Sequence, residues 1–234
     1  QDEYSLYPEK VLEVTSIGAM WEDLPAEAIL ALEPDLIVAA EIISEDQVIA
    51  LRELGLNVYW QANPMTYEEL WGNLRDFAML TGHEEETEAL IADLDARVRV
   101  VQEKITPLSY HPSVFYELDA TDPANPWTTG SGTFIDYIIT TAGGMNAASE
   151  LEGDYTQIST EALIEINPDI ILLADALYGV TPEIVAERPG WDAITAVAKN
   201  ALYPIDPNMM SVPGPRLVGA LEETAKILHP EVFE

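Results

Sequence analysis

Apolar and polar positions follow the same pattern in two distant parts of the chain. Residues 27–40 (EAILALEPDLIVAA) and residues 161–174 (EALIEINPDIILLA) each combine apolar positions at helical spacing, a Pro-Asp turn and an uninterrupted apolar run. An apolar run that is buried on both faces is typical of a parallel strand. The repeat therefore predicts an α/β fold with two similar lobes that face each other, and the space between such lobes suits a ligand.

The remaining apolar spacing predicts further elements in each lobe. In the first lobe we expect a helix over residues 45–54, a strand over residues 56–60 and a helix over residues 67–80. In the second lobe we expect a strand over residues 113–118 and a helix over residues 134–142, ahead of the second repeat copy. A short strand over residues 201–205 and a final helix over residues 215–228 complete the prediction.

The strongest helical pattern covers residues 81–106. Thr81 and Glu84 have the spacing of a capping box, and Pro107 stops the helix. Its predicted apolar stripe consists of Leu90, Leu94, Val98, Val101 and Ile105. About 24 residues at roughly 1.5 Å each give a rod of about 35 Å. We interpret it as a rigid connection between an N-terminal lobe (residues 1–80) and a C-terminal lobe (residues 107–234).

The charge balance narrows the possible partners. The chain has 42 acidic and 10 basic residues, which gives a formal net charge of −32. Such a field repels nucleic acid and anionic membrane surfaces, so we expect no nucleic-acid partner. The acidity is compatible with a salt-rich environment, where screening relaxes the self-repulsion, and simple solubility is the alternative.

Cysteine usage and hydropathy exclude other features. The chain has no cysteine, so it has neither a disulfide nor a thiolate metal site. No apolar run approaches the ~20 residues that span a bilayer, so we expect no transmembrane segment. The first residues lack the basic and apolar regions of a signal peptide, which leaves a processed or truncated start open.

Motifs for catalysis are absent from the sequence. Residues 130–132 (GSG) lack the glycine spacing of a nucleophile elbow, and Ile135 occupies the place of the last glycine of a dinucleotide-binding loop. Acidic pairs such as Asp119 and Asp122 arise by chance in so acidic a chain. The three histidines are isolated and are expected at solvated helix or strand ends: His83, His111 and His229. We therefore expect no catalytic residues and no metal site.

Aromatic and thioether side chains occur in polar or Gly/Pro-rich loops, where no helix or strand face would bury them. They are Tyr4, Tyr7, Met20, Trp21, Trp127, Tyr155, Met209 and Met210. Trp21 and Tyr155 each precede a repeat glutamate by six residues. Flat rings on two facing loops suit a large, partly apolar, disc-shaped ligand. The alternative is that each ring fills space beneath its own loop.

A series of short motifs resembles the substrate-binding proteins of iron-siderophore, haem and cobalamin ABC importers. In order they are Tyr7-Pro8, the two Pro-Asp units, and residues 127–136 (WTTGSGTFID), 142–146 (AGGMN), 158–161 (ISTE), 190–194 (GWDAI) and 214–217 (GPRL). The motifs cover nearly the whole chain. The resemblance implies two Rossmann-like lobes joined by one rigid helix, a cleft for a metal chelate, and an extracytoplasmic location, either periplasmic or lipid-anchored.

The same resemblance implies a docking role for two glutamates. Family members dock with their permease through a glutamate on each lobe, and the matching positions are Glu27 and Glu161. Two carboxylates at a fixed separation would select a two-fold partner, so the implied partner is an ABC transporter permease dimer. A first-turn glutamate that is favoured by the helix dipole is the simpler alternative.

The resemblance also indicates the ligand. The aromatic contacts of the cobalamin-binding members fall on Tyr4, Trp21, Trp127 and Tyr155, and their tail contacts fall around Met209 and Met210. These loops contain no arginine or lysine, whereas anionic siderophores are usually held by basic residues. We therefore expect a neutral or cationic metal chelate, preferably a corrinoid, bound as a ligand and not as a cofactor.

Other functions remain open at this point. A ferric siderophore or haem is the alternative ligand, and a small α/β enzyme or an adhesion or sensing module is the alternative from another class. Family members begin with a strand, a loop and a helix before the region that matches Gln1. The N-terminal lobe is therefore expected to lack its first strand and helix, because the chain is either a fragment or a variant with a reduced lobe.

Overall fold

The computed structural model of the protein describes residues 9–17 and 25–233. The chain divides into two compact units, residues 1–63 and residues 64–234. The helix that follows the boundary and the long helix after it both belong to the second unit. The lobe limits at residues 80 and 106 stay a prediction.

The described part of the first unit contains a parallel pair of strands and two α-helices. Its elements are a 3-10 helix (Glu9–Glu13), α1 (Ala26–Ala31), β1 (Ile37–Ala40), α2 (Glu45–Glu53) and β2 (Val58–Gln61). Helix α2 begins at a capping box, in which Ser44 accepts from the Gln47 amide and the Gln47 side chain accepts from the Ser44 amide. The helix and strand that the first repeat copy predicts are confirmed.

Strand β1 is less buried than an apolar run predicts. Ala39 is buried with Ile43 and Val48, but the intervening Val38 is 43% exposed. The described strands of this unit number two, and its buried cluster is correspondingly small. The first repeat copy therefore forms the predicted element without the predicted burial on both faces.

The second unit is built on a four-stranded parallel sheet. In chain order its elements are α3 (Tyr67–Thr81), α4 (Glu84–Ile105), β3 (Ser113–Glu117), β4 (Trp127–Thr129), α5 (Phe134–Thr141), β5 (Met145–Asn146), β6 (Tyr155–Gln157), α6 (Thr160–Ile166), β7 (Ile170–Leu173), a 3-10 helix (Ala174–Tyr178), α7 (Pro182–Ala186), a 3-10 helix (Trp191–Ala193), α8 (Thr195–Ala198), β8 (Leu202–Pro204), α9 (Pro207–Met210), α10 (Leu217–Leu228) and α11 (Pro230–Phe233). The sheet order is β5-β3-β7-β8, and β4 and β6 form a separate antiparallel ribbon.

The sheet of the second unit lies between two layers of helices. On one side Tyr116 and Leu172 pack in a cluster with residues of α3, α4, α5 and α10. On the other side Phe115 and Ile171 pack with residues of α6, α7 and α8. Every residue of β7 is buried, which is why this strand is apolar at each position. The second repeat copy therefore forms the fully buried strand that its sequence predicts.

The predicted capping box at Thr81 is wrong. Helix α3 continues through Thr81, whose hydroxyl donates to the carbonyl of Phe77 at 2.8 Å. Gly82 then ends α3 in the left-handed conformation, and α4 begins at Glu84 without a side-chain cap. Since Gly82 adopts a positive φ at no steric cost, it separates two helices that the apolar spacing alone does not divide.

Helix α4 is fixed to its unit by packing and by ion pairs. Arg97 donates to both carboxylate oxygens of Glu222 on α10, at 2.9 and 2.8 Å, and Arg75 on α3 pairs with Glu88. The buried stripe of α4 consists of Ile91, Leu94, Val98, Val101 and Ile105. Ile91 thus takes the place predicted for Leu90, which is 40% exposed.

One of the three histidines is buried, against the prediction of solvated histidines. His83 and His111 are exposed, but His229 is 1% exposed. Its Nε2 lies 3.1 Å from the carbonyl oxygen of Gly143, and Nδ1 of His111 lies 2.8 Å from the same oxygen. Gly143 has a φ of 87°, and a Cβ at this position would lie 2.7 Å from His229 Nε2. The glycine therefore permits the close approach of the imidazole.

Replacing Gly143 with alanine is expected to destabilise the protein more than a matched replacement of Gly82. Both glycines have a positive φ, but a Cβ at Gly82 would meet nothing within 4 Å. Gly143→Ala should lower the free energy of unfolding by about 2–5 kcal/mol, because strain and overlap add. Gly82→Ala should lower it by about 1 kcal/mol. Urea denaturation measures both, and equal losses would contradict the packing described here.

Candidate functional site

Half of the predicted contact residues lie outside the described residues. These are Tyr4, Tyr7, Met20 and Trp21. The candidate site is therefore built from the second unit alone, where Trp127, Tyr155, Met209 and Met210 are placed.

The structure brings Trp127 and Tyr155 together on the β4–β6 ribbon. Trp127 pairs with Gln157, and Thr129 pairs with Tyr155. Paired residues and residues two positions apart share one face of an antiparallel ribbon, so the two rings are diagonal neighbours. They are 40% and 46% exposed. The sequence predicted loops here, and the structure instead holds both rings on a hydrogen-bonded strand pair.

The glycine-rich segment after Trp127 is a backbone support for this ribbon. The Asn146 side-chain amide donates to the carbonyls of Thr129 and Gly130 at 3.1 and 3.2 Å, and to Asp136 Oδ1 at 3.0 Å. A Cβ on Gly130 would lie 2.3 Å from the carbonyl oxygen of Gly153. The ribbon can therefore close only with a glycine at this position.

A pocket opens at the carboxyl ends of β7 and β8. It has a volume of about 460 Å³, and its lining includes Leu177, Val180, Ile205, Asp206 and Asn208. None of the described residues that line it is lysine or arginine. The carboxyl ends of parallel strands are where open α/β sheets bind ligands. The pocket is therefore a candidate ligand site with an acidic group and no cation.

The ribbon and the pocket approach each other at Tyr116. Burial is the main cause that raises the pKa of the Tyr116 hydroxyl. Neighbouring Tyr155, Asp175 and Asp206 raise this pKa further. These side chains come from the ribbon, from the segment after β7 and from the segment after β8. We call the surface made by Trp127, Tyr155 and the pocket the binding face.

The two methionines are placed differently from the predicted loop contacts. Met210 is fully buried, with its sulfur 4.0 Å from the Thr224 hydroxyl, and Met209 is half-buried against the core. Asp206 Oδ1 accepts from the Asn208 amide at 2.8 Å and begins the short helix α9. Because this segment is helical, it has a face that packs against the core, and both methionine side chains lie on that face. Met210 exposes no surface to a ligand, so we keep Met209 alone as a candidate contact.

Sequence reasoning missed two exposed apolar side chains beside the pocket. Leu177 is 64% exposed and Tyr178 is 72% exposed, and both lie in the 3-10 helix that follows β7. Gly179 ends this helix in the left-handed conformation. The signal in the sequence was an apolar and aromatic pair, Leu177-Tyr178, that follows the carboxyl end of a buried repeat strand by a few residues and precedes a glycine.

The binding face lies above a buried ion pair. The Arg188 guanidinium donates to both oxygens of Glu117, at 2.5 and 2.8 Å, and lies over the Trp191 ring at 4.4 Å. Burial raises the pKa of Glu117 to about 7, and Arg188 opposes this shift. Asp175 is also buried, and burial raises its pKa. Arg188 directs both terminal nitrogens to Glu117, its Nε has no hydrogen-bond partner among the described residues, and the residue is only 7% exposed. The guanidinium is therefore not presented to an anionic ligand.

The two predicted docking glutamates lie at exposed helix starts. Glu27 occupies the first turn of α1, and Glu161 occupies the first turn of α6. Ser159 caps α6 by accepting from the Ala162 amide, whereas α1 has no side-chain cap. Neither carboxylate is needed to cap its own helix, so each can contact a partner.

The described parts of the chain contain neither a metal-ligand cluster nor a membrane-spanning helix. Within residues 9–17 and 25–233, no three histidine, cysteine, aspartate or glutamate side chains are grouped to hold a metal ion. The same residues include no helix with the length and apolar character that crossing a membrane requires.

Comparison with known proteins gives consistent matches. A family model described as "Periplasmic binding protein" matches residues 2–209. An uncharacterized ABC transporter substrate-binding lipoprotein of Bacillus subtilis is 30% identical over 233 residues, which cover 97% of this chain and 72% of that protein. A cobalamin-binding protein of Halobacterium salinarum is 27% identical over 209 residues. That alignment covers 87% of this chain but 55% of the relative, so the chain spans about half of that protein's length.

Solved structures show the same fold. The periplasmic haem-binding protein of Roseiflexus sp. RS-1 superposes with a TM-score of 0.83 at 24% sequence identity. The superposition covers 97% of this chain and 88% of that structure. At this level of sequence identity, the structural similarity defines the fold but does not define the ligand.

Proposed function

Because the chain belongs to the periplasmic binding protein family, we propose that it is the extracytoplasmic substrate-binding component of an ABC importer. Its Bacillus subtilis relative is named as such a component, and the similarity spans nearly the whole chain. The protein binds a ligand and passes it to a permease dimer, and it performs no catalysis. Its ligand is a metal chelate that is released on delivery, which distinguishes the chelate from a resident cofactor.

The preferred ligand is a corrinoid, and the pair of half-exposed rings on the β4–β6 ribbon carries this proposal. Trp127 and Tyr155 share one face of a ribbon that hydrogen bonds hold in place. Flat, rigid side chains of this kind contact a flat macrocycle over a large area at little entropic cost. The cobalamin-binding relative supports the same ligand class.

The charge of the binding face supports a neutral or cationic chelate. The described pocket lining contributes Asp206 and no cation, and Arg188 is occupied by Glu117. A ferric siderophore that carries carboxylates, or haem with its propionates, would meet repulsion here and in the field of a chain with net charge −32. These chelates are therefore the alternatives that a binding test must separate from corrinoids.

Removing both rings is expected to weaken corrinoid binding. The variant Trp127→Ala/Tyr155→Ala should bind cobinamide at least about 30-fold more weakly, since two aromatic anchors contribute about 2–4 kcal/mol. Calorimetric titration of wild type and variant measures the change. Tyr110→Ala is the matched control, because Tyr110 is 63% exposed but precedes the amino end of β3. Its affinity should stay unchanged.

Two results would reverse the ligand assignment. Unchanged cobinamide affinity in the double variant would show that Trp127 and Tyr155 do not contact the ligand. Saturable binding of haem or a ferric siderophore, without any binding of cobinamide or cobalamin, would replace the corrinoid with that chelate. Absorbance spectra separate these outcomes because corrins, haem and ferric chelates absorb at different wavelengths.

Glu27 and Glu161 are proposed to dock with the permease. Each is exposed in the first turn of a repeat helix, where a carboxylate contributes about 0.3–1 kcal/mol through the helix dipole. Their charges are therefore dispensable for folding. Basic residues of a two-fold permease would recognise one carboxylate from each repeat.

Reversing both charges is expected to abolish uptake without unfolding the protein. Glu27→Arg/Glu161→Arg should melt within a few degrees of wild type and should keep its ligand affinity. Uptake through the cognate permease should be lost, because two cations would face cations. Glu165→Arg, on the exposed part of the same helix as Glu161, is the control and should support uptake. Normal uptake by the double variant would contradict the docking role and would leave both glutamates with only a helix-dipole interaction.

A further inference from the structure

Two buried carboxylates, of which one is paired with a guanidinium, lie beneath the binding face. Glu117, Asp175 and Arg188 are 0%, 3% and 7% exposed. Arg188 pairs with both oxygens of Glu117. Asp175 Oδ2 accepts from the Ala120 amide at 3.1 Å, and its Oδ1 is buried without a hydrogen-bond partner. One of the two acids therefore has no cation of its own.

Among the described residues, the positive charge that acts on Asp175 comes from Arg188. Burial is the largest cause of the raised pKa of Asp175. The charge of Arg188 lowers this pKa, and the charge of Asp119 raises it. Asp175 in turn raises the pKa of Glu117, in addition to burial. Tyr116 on β3 also faces Asp175, and its raised pKa keeps that hydroxyl neutral. With both carboxylates ionised, the site would hold one uncompensated negative charge away from water.

We propose that Asp175 is buried as the neutral acid and acts as a positioning residue of the binding face. Arg188 engages both oxygens of Glu117 and so favours ionisation of Glu117 over ionisation of Asp175, which has no such partner. The proton that the pair retains therefore belongs on Asp175. A proton on Oδ1 turns an acceptor without a partner into a donor towards Glu117 and brings the site to neutrality. Burying an unpaired charge costs several kcal/mol, which a bound proton avoids.

Asp175 acts on the binding face through two short connections. It lies in the first turn of the 3-10 helix that carries Leu177 to the pocket lining. Through the Ala120 amide it also holds the loop whose Asp119 carbonyl accepts from the Trp127 amide at 2.7 Å. Loss of the proton places the negative charges of Asp175 and Glu117 side by side. Their repulsion weakens the hold of Asp175 on the loop that contains Asp119 and Ala120. The effect on the ligand rests on the proposed function, whereas the protonation of Asp175 does not.

The pH dependence of stability has a defined sign. In the unfolded chain the two carboxyls titrate near pH 4, whereas in the folded protein burial raises both pKa values, that of Glu117 to about 7. Between these values the folded state retains a proton that the unfolded chain has lost. This contribution to stability is fully present below about pH 4 and is lost as the pH rises through the raised pKa values of the pair.

Asp175→Asn tests the proposal because asparagine is neutral and can still accept from Ala120. Relative to this variant, the unfolding equilibrium constant of the wild type should rise with pH above about pH 4, by up to about tenfold per pH unit, measured by urea denaturation at fixed salt. At pH 8 the variant should be at least as stable as the wild type. Asp192→Asn, which removes an exposed carboxylate from the same unit, should follow the wild-type slope.

Two further measurements keep the proposal testable if the variant folds poorly. Carbon-detected NMR of the wild type should show a carboxyl signal that titrates above the ordinary range of aspartate and that is absent from Asp175→Asn. Cobinamide affinity of the wild type should fall between pH 6 and 8.5, with less change in Asp175→Asn. Absence of any cobinamide binding would contradict the proposed function alone, because the stability and NMR measurements need no ligand.

Either of two results would overturn the proposal. If Asp175→Asn were less stable than the wild type at every pH, with a parallel profile, then Asp175 would be ionised in the folded protein. An Asp175 carboxyl that titrates in the ordinary range of aspartate would lead to the same conclusion, whatever the pKa of Glu117.

Discussion

Burial of β3 and β7 on both faces is the constraint on which the rest of the second unit depends. Helices cover both sides of these strands, so they meet solvent only at their ends. Polar and aromatic groups that must reach a ligand therefore gather at the carboxyl ends, where β3 leads to the ring-bearing ribbon and β7 leads to the pocket. The same constraint places Glu117 in the interior. There Arg188 neutralises the charge of Glu117, and a retained proton neutralises the neighbouring Asp175.

The placement of charge distinguishes this binding face from one that is made for anions. Its nearest buried cation, Arg188, is directed inward to Glu117, and Asp206 is directed to the pocket. The rings of Trp127 and Tyr155 remain as the main outward contacts. Selection by shape and stacking, with repulsion of carboxylates, follows from this arrangement.

Local patterns predicted local structure well, and the second repeat copy shows why. Its apolar run determines a strand because burial on both faces demands apolar side chains at each position. The β4–β6 ribbon was not predicted, because an alternation of apolar and polar residues cannot be recognised in strands of three residues. The Glu117–Arg188 pair joins residues 71 positions apart, which no local pattern reports. Tertiary packing also decides that Met210 lies in the core.

A crystal structure of the protein with bound cobinamide tests the central claim most directly. The account predicts that the corrin ring lies against Trp127 and Tyr155, with its edge at the pocket beside Asp206, and that Arg188 still pairs with Glu117. A ligand that leaves both rings uncovered, or that draws Arg188 away from Glu117 to bind it, would contradict the account.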